Sequence, residues 1–362
     1  MSDKLKAARE IINEVDKEMA ELFVKRMRAS EMVAEHKLKC GLEILDPTRE
    51  AEVIERNSEL IKDDTLRAYY VNFLSKTMEI SRSYQSRLME GMRVAYSGVT
   101  GAFAHIAASK LFPTAMKIGY GNFENAYNAV VSGECDVAVL PIENSYNGEV
   151  GQVTDLIFSG SLYVNGMTEL AVTQDLLAIP GAKLSDIREV VSHPQALGQC
   201  HDYIREHGFT EKEYNNTALA AKFVKERGDK SIAAIASEAA AEIFGLSVLE
   251  KNINASANNT TRFVILSRSQ NTATTKSART TTLLLFTVRN EAGALAKAID
   301  IIGKHGFNMR SLRSRPMKEL LWQYYFYVEA EGDLNTDEGR EMLEELKCYC
   351  DRLRAAGTFI KN

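Results

Sequence analysis

The chain is 362 residues long, 45% hydrophobic and 26% charged, with a formal net charge of −5 and acidic and basic residues interleaved. Such a balance offers no basic footprint for nucleic acid and no cationic anchor for a membrane, while the length exceeds one ordinary core and predicts two or three domains. The longest apolar runs are strand-sized, "MSDKLKAARE" lacks a signal-peptide core, and five cysteines scattered at Cys40, Cys135, Cys200, Cys348 and Cys350 suit a reducing compartment, so a cytoplasmic protein is expected.

Residues 1–90 read as helix throughout, with Gly41 their only glycine. Leu5, Ala8, Ile12, Val15, Met19, Leu22, Ala29 and Val33 recur at alternating spacings of three and four, the seam of one long amphipathic helix. "DPTRE" gives a second helix an Asp46 cap and Pro47 at its first position, and "KDDTLRAYY" opens a third after about Lys62. A first helix of roughly 55 Å projects past shorter neighbours, which predicts an intertwined homodimer or a higher homo-oligomer. Arg26 interrupts the seam, and its helical neighbours Leu22, Phe23, Ala29 and Ser30 include no acid. Lys37 lies only about 20° round the helix from Arg26 and about 16 Å further along. Arg9, whose helical neighbours are Leu5, Lys6, Ile12 and Asn13, stands about 25 Å up the axis and would reach the site of an antiparallel partner. Two readings of Arg26 stay open: a cation that awaits an anionic ligand, or a side chain that snorkels to solvent or bridges to Glu50 or Glu52.

In order and spacing, Arg9, Arg26, Lys37, Asp46, Arg49, Glu50, Ser81 and Gln85 resemble the all-helical chorismate mutases over the first ninety residues. The rearrangement of chorismate to prephenate is pericyclic and needs a folded substrate with stabilised charge rather than a base or nucleophile. The resemblance implies that Arg26 and the partner chain's Arg9 hold the two carboxylates, helped by Arg49 and Ser81. It also implies that Lys37 and Gln85 donate to the ether oxygen, and that Asp46 and Glu50 orient the ring hydroxyl.

From Arg93 short apolar strands alternate with helices, as in "RVAYSG", "CDVAVLPIEN", "REVVSH" and "FVILS", an α/β pattern. "PIENSYNG", "SHPQALGQC" and "NNTTRFVIL" cluster neutral hydrogen-bonding residues at strand–loop junctions. Singly they have ordinary readings: Asn144 as an Asx turn, Ser192 as the cap of a helix starting at Pro194, Thr261 as a strand residue. Together with "VAYSGVTGAFAHIAA" and "NNTALAAKFV" they resemble the prephenate dehydratase family from about Arg93 to Ser267. The resemblance implies that Thr261 is the proton donor or relay at the leaving hydroxyl, while Asn144, Ser192 and Gln199 position substrate. Thr217 and Arg262 are expected to bind substrate, Arg262 as a carboxylate clamp or else as a structural neighbour. Two features depart from the family pattern. Ala255, Ser256 and Ala257 stand where acidic residues and a proline are usual, and "VTQDLL" replaces a histidine common near residue 173.

"RSQNTATTKSAR" reads as a linker, after which the elements follow β-α-β-β-α-β, the ferredoxin-like order. "NEAGALAKAIDIIGKHGFNMRSLRSRP" resembles the ACT domain from about Thr280 to the end. Its Gly293, Ala294 and Leu295, and its Ser314, Arg315 and Pro316, match the two motifs that frame phenylalanine in that family, although Arg313 stands where a glutamate is usual. Cys348 and Cys350 are too close for a zinc pattern and no HExxH occurs, so neither metal nor cofactor is expected.

The expected architecture is therefore an all-α three-helix mutase domain at 1–90, a two-lobed α/β dehydratase domain at 92–268 and an α+β ferredoxin-like ACT domain at 280–362. The resemblance implies a bifunctional enzyme that converts chorismate to prephenate and prephenate to phenylpyruvate, with phenylalanine as effector. Its rivals are a mutase fused to an arogenate dehydratase and a non-catalytic phenylalanine-sensing scaffold. A mutase–dehydrogenase fusion would need a dinucleotide loop, and "YSGVTGAFA" is not GxGxxG.

Overall fold

A computed structural model describes residues 3–255, 259–272, 280–317 and 323–360. Ser256, Ala257 and most of the expected linker lie outside the described residues. The chain divides into two compact units, Met1–Arg93 and Val94–Asn362.

The first unit is three helices: α1 (Asp3–Cys40), α2 (Pro47–Ser58) and α3 (Asp64–Glu90). Their ends follow from local chemistry. Gly41, at φ +64°, lets the Leu42 N–H reach back to the Lys37 carbonyl at 3.0 Å and close α1. Asp46 Oδ1 accepts from the Arg49 N–H at 3.0 Å, with Pro47 at the first position of α2, and Asp63 Oδ1 caps α3 through the Leu66 N–H at 3.0 Å. Ala34, Leu74 and Met78 are buried, whereas Ile12 and Leu22 of the α1 seam are 56% and 63% exposed. One copy of this unit leaves most of its apolar seam open.

The second unit begins with a lobe containing β1 (Arg93–Ser97), α4 (Phe103–Leu111), β2 (Met116–Tyr120), α5 (Phe123–Val131), β3 (Val137–Asn144), β4 (Gly148–Glu149), α6 (Gly151–Ser159) and β5 (Tyr163–Ala171). The chain then crosses into a second lobe containing β6 (Asp175–Ala178), β7 (Glu189–Ser192), α7 (Pro194–Gln199), α8 (His201–His207), β8 (Thr210–Glu213), α9 (Thr217–Arg227), β9 (Ile232–Ala236), α10 (Glu238–Phe244) and β10 (Ser247–Glu250). It returns to the first sheet as β11 (Thr260–Ser267), giving strand orders β2-β1-β3-β11-β5 and β10-β6-β9-β7-β8. The two crossings run side by side: the Val172 N–H donates to the Asn259 carbonyl at 2.7 Å, and the Ile253 N–H donates to the Gln174 carbonyl at 2.9 Å.

The last part is β12 (Thr280–Val288), α11 (Ala294–Lys304), β13 (Asn308–Pro316), β14 (Tyr324–Glu331), α12 (Asp337–Lys347) and β15 (Cys350–Ile360), an antiparallel sheet ordered β13-β14-β12-β15. One face packs on α11 and α12 through Leu284, Phe286, Ile302 and Met342. From the other face, Leu283, Leu285, Tyr325, Tyr327 and Phe359 enter the same core as Leu140, Ile157 and Val164 of the first lobe. The approach is close enough that a Cβ at Gly357 would strike the Val164 carbonyl oxygen.

Candidate active sites

In the helical unit, a cavity of about 170 Å³ is lined by Arg26, Lys37, Asp46, Arg49, Glu50, Ser81 and Gln85, with Arg82 beside them. Arg9, near the other end of α1, is not part of this wall. The half-buried Arg26 guanidinium donates to the Ser81 hydroxyl and to the Thr77 carbonyl at 3.3 Å. Neither Glu50 nor Glu52 bridges to it. Glu50 pairs with Arg82, and Glu52 with Arg49 at 3.0 Å. Burial alone pushes the Arg26 pKa down, so this cation is partly desolvated with no carboxylate against it among the described residues. Lys37 Nζ is held by the Ile44 carbonyl at 2.5 Å, and the buried Gln85 Oε1 has no hydrogen-bond partner among the described residues. Arg82 carries no signal of its own in the sequence; its place one residue after Ser81 on α3 is what puts it opposite Glu50.

Between the two lobes, a cavity of about 370 Å³ is lined by Asn144, Gln199, Thr217 and Thr261 together with Gln174, His193, Asn216 and Asn259. Asn144 and Thr261 are register partners on β3 and β11. Asn144 Nδ2 donates to Thr261 Oγ1 at 2.9 Å and to Asn259 Oδ1 at 2.8 Å, while Asn259 Nδ2 donates to Gln199 Oε1 at 3.1 Å. The ordinary reading of Asn144 holds as well: its Oδ1 accepts from the N–H groups of Tyr146 and Asn147 at 3.0 and 2.9 Å, an Asx turn that fixes the carboxamide. Asn144 uses one lone pair of the Thr261 oxygen, and the Thr261 hydroxyl, which lines the cavity, keeps its proton available for a ligand.

Two expected contacts lie elsewhere. Ser192 is fully buried and its hydroxyl donates to the Ile235 carbonyl at 2.6 Å, a bond within the second lobe; the cap of α7 is His193, whose Nδ1 accepts from the Gln195 N–H at 3.2 Å. Arg262 follows Thr261 on β11 and so points to the opposite face. There it meets Glu143 at 3.0 Å, Glu329 at 2.8 Å and Glu169 at 3.8 Å, which matches its structural reading rather than the clamp. Burial opposes its charge, but Glu329 and Glu143 outweigh that and hold it protonated.

Residues 94–271 match the prephenate dehydratase family, residues 8–86 match chorismate mutase type II, and residues 282–348 match the ACT domain. A bifunctional chorismate mutase/prephenate dehydratase of Enterobacter agglomerans is 31% identical over 370 residues, which cover 98% of this chain and 95% of that protein. The chain belongs to the bifunctional chorismate mutase/prephenate dehydratase family. An arogenate dehydratase 2 of Petunia hybrida is 34% identical over 282 residues, 74% of this chain and 71% of that one. The crystal structure of a prephenate dehydratase from Arthrobacter aurescens in complex with L-Phe matches with a TM-score of 0.68 at 28% identity, over 75% of this chain and 90% of that one.

The ACT motifs of this family member occupy different surroundings. Gly293, at φ +84°, precedes α11 without any side-chain cap, and Ala294 and Leu295 open the helix, the Ala294 N–H donating to the Glu291 carbonyl at 3.2 Å. Ser314 and Pro316 are exposed on β13, whereas Arg315 is drawn toward the dehydratase lobe, 3.2 Å from Asp155 and 3.5 Å from Glu149. Arg313 shares that direction. It pairs with Glu143 at 2.5 Å and lies 5.7 Å from the centre of the Tyr327 ring.

Proposed function

We propose that the chain turns chorismate into phenylpyruvate in two steps, using the helical cavity for the first and the cavity between the lobes for the second. The observation that carries this reading is the Asn144–Thr261 pair, which leaves the Thr261 hydroxyl free to donate to a ligand in a cavity walled mostly by neutral donors and acceptors, with Glu149 and His193 among them. In the first step Arg26 holds a substrate carboxylate with Ser81, Arg9 of a second copy holds the other, and Lys37 and Gln85 face the ether oxygen as charge builds there. Arg49 assists at a carboxylate, and Asp46 and Glu50 orient the ring hydroxyl. In the second, the carboxylate leaves as CO2, its electron pair enters the ring, and the C–O pair departs with hydroxide as a proton arrives through Thr261. A free threonine hydroxyl is a weak acid, so it acts through polarisation and relay. Gln199 and Asn259 brace Asn144, and Thr217 binds substrate. Phenylalanine binds at the ACT motifs Gly293–Ala294–Leu295 and Ser314–Arg315–Pro316 and slows the dehydratase. The enzyme works as a homodimer or larger homo-oligomer in the cytoplasm and uses no metal or cofactor.

Product analysis after feeding chorismate tests the whole scheme: phenylpyruvate is expected, and recovery of chorismate unchanged would sink it. One observation favours a second reading in which arogenate is dehydrated. Glu149, a carboxylate suited to an ammonium group, lines the cavity, its Oε2 3.5 Å from Arg315 and its buried Oε1 without a hydrogen-bond partner among the described residues. Turnover of purified prephenate against purified arogenate separates the two.

A further inference from the structure

Arg82 lines the helical cavity with Arg26, Lys37 and Arg49, yet the rearrangement as proposed gives it no task. Its nearest acid along α3 is Glu79, three residues back and within helical reach. Glu79 instead pairs with Lys76 at 2.7 Å, and Arg82 crosses to α2, where its Nη1 meets Glu50 Oε1. The Arg82 and Glu50 side chains are 30% and 27% exposed, so the pair is partly desolvated while a ligand in the cavity can still meet it. The other cations of the wall are engaged elsewhere: Arg26 with Ser81, Lys37 with the Ile44 carbonyl and Arg49 with Glu52. Among the described residues, Arg82 is the cation paired with Glu50.

Chorismate is a dianion, and it remains one in the transition state, because the rearrangement transfers no proton. A bare carboxylate on the wall would repel it throughout, yet a carboxylate is also a strong acceptor for the ring hydroxyl. An ion pair meets both demands. The cation offsets the charge and fixes one carboxylate oxygen, and the second oxygen stays an acceptor. We infer that Arg82 is a positioning residue of the mutase, which neutralises Glu50 and fixes its carboxylate so that Oε2 accepts from the ring hydroxyl of chorismate. Arg82 acts through Glu50 and touches no reacting atom. The inference deepens the mutase reading and rests on it.

The test uses the full chain with Arg82→Met, which keeps an unbranched stem and removes the charge, and Arg82→Lys, which keeps a cation. Loss of the counterion weakens substrate and transition state alike. Arg82→Met is therefore expected to raise the chorismate KM at least about tenfold, with kcat within about threefold of wild type. Arg82→Lys is expected to bring KM back to within about threefold of wild type. The deciding comparison sets Glu50→Gln against Glu50→Gln combined with Arg82→Met. With no charge left to neutralise, the added substitution should change KM by less than about twofold. Arg82→Gln takes the place of the methionine variant should that one melt early. An unchanged KM in the neutral variants would overturn the inference, and a fall in kcat alone would reduce Arg82 to a packing role. An effect of about tenfold that persists in the Glu50→Gln background would also overturn it, because Arg82 would then meet the substrate directly. Failure of the wild-type chain to rearrange chorismate would instead sink the mutase reading itself.

Discussion

Arg26 is a cation set in an apolar stripe with no acid of its own helix in reach, and a residue so placed demands a reason. The fold narrows that reason by giving Glu50 to Arg82 and Glu52 to Arg49, which leaves Arg26 with the Ser81 hydroxyl and a carbonyl. Arg26→Ala should lower mutase activity by at least about 2–3 kcal/mol, roughly 30- to 150-fold, while dehydratase turnover of added prephenate stays near wild type. Equal loss of both activities would mean that the substitution unfolds the chain. Thr261→Val keeps the side chain's shape and removes its hydroxyl. Dehydratase activity should fall at least about a hundredfold, about 2.7 kcal/mol, and prephenate should accumulate from chorismate. An unchanged dehydratase rate would remove Thr261 from the mechanism. The oddity of Arg26 is legible in the sequence, because helical spacing alone fixes its neighbours; other residues are less readable. Ser192 has the same chemistry as a site residue, and only its bond to the Ile235 carbonyl across the second sheet assigns it to the core. Gln174 registers in "VTQDLL" merely as part of a segment lacking a histidine, since its place on the cavity wall depends on two chain crossings far apart in sequence.

At the scale of elements, the alternation of β3 and β11 explains why the dehydratase site and the ACT sheet are wired to the same pair of strands. Asn144 and Thr261 turn into the cavity, and their neighbours Glu143 and Arg262 turn the other way to meet Arg313 and Glu329. The ferredoxin-like order and the α/β grammar are readable from periodicity. This shared ion cluster is not, because Arg313 and Glu143 are 170 residues apart and sequence marks Arg313 only as a substitution for glutamate. Arg313→Ala should shift the phenylalanine concentration giving half-inhibition by at least about fivefold, the lower end of ordinary coupling, with the basal dehydratase rate near wild type. An unchanged inhibition curve would uncouple Arg313 from regulation. The cluster also has a pH signature. Burial raises the Glu143 pKa, but Arg313 and Arg262 more than offset that, and the net value lies below the usual range. A depressed carboxyl stabilises the fold above its unfolded pKa of about 4.3 and loses that contribution as pH falls through its folded value. The melting difference between wild type and Arg313→Ala should therefore be constant near neutrality and shrink below about pH 4. A difference that grows on acidification would contradict this sign.

For the whole molecule, the open seam of α1 is the feature that one copy of the chain leaves unexplained. Leu5, Val15 and Met19 line up with the exposed Ile12 and Leu22, an apolar stripe that water would not leave uncovered on so long a helix. Arg9 lies on this stripe's end of the helix, far from the cavity that holds Arg26 and Lys37. Both facts are met at once by an antiparallel pair in which each α1 covers the other and delivers its Arg9 to the partner's cavity. Arg9→Ala should then abolish mutase activity as fully as Arg26→Ala does, although it removes nothing from the cavity wall of its own copy. Mixing the two inactive variants supplies the decisive measurement. A mixed dimer holds one site that lacks both arginines and one that lacks neither, so mutase activity should return to at most half the wild-type value per mixed dimer. If dissociated and reassembled mixtures stay inactive while homodimers re-form normally, Arg9 does not act across the pair and its role must be sought within its own chain.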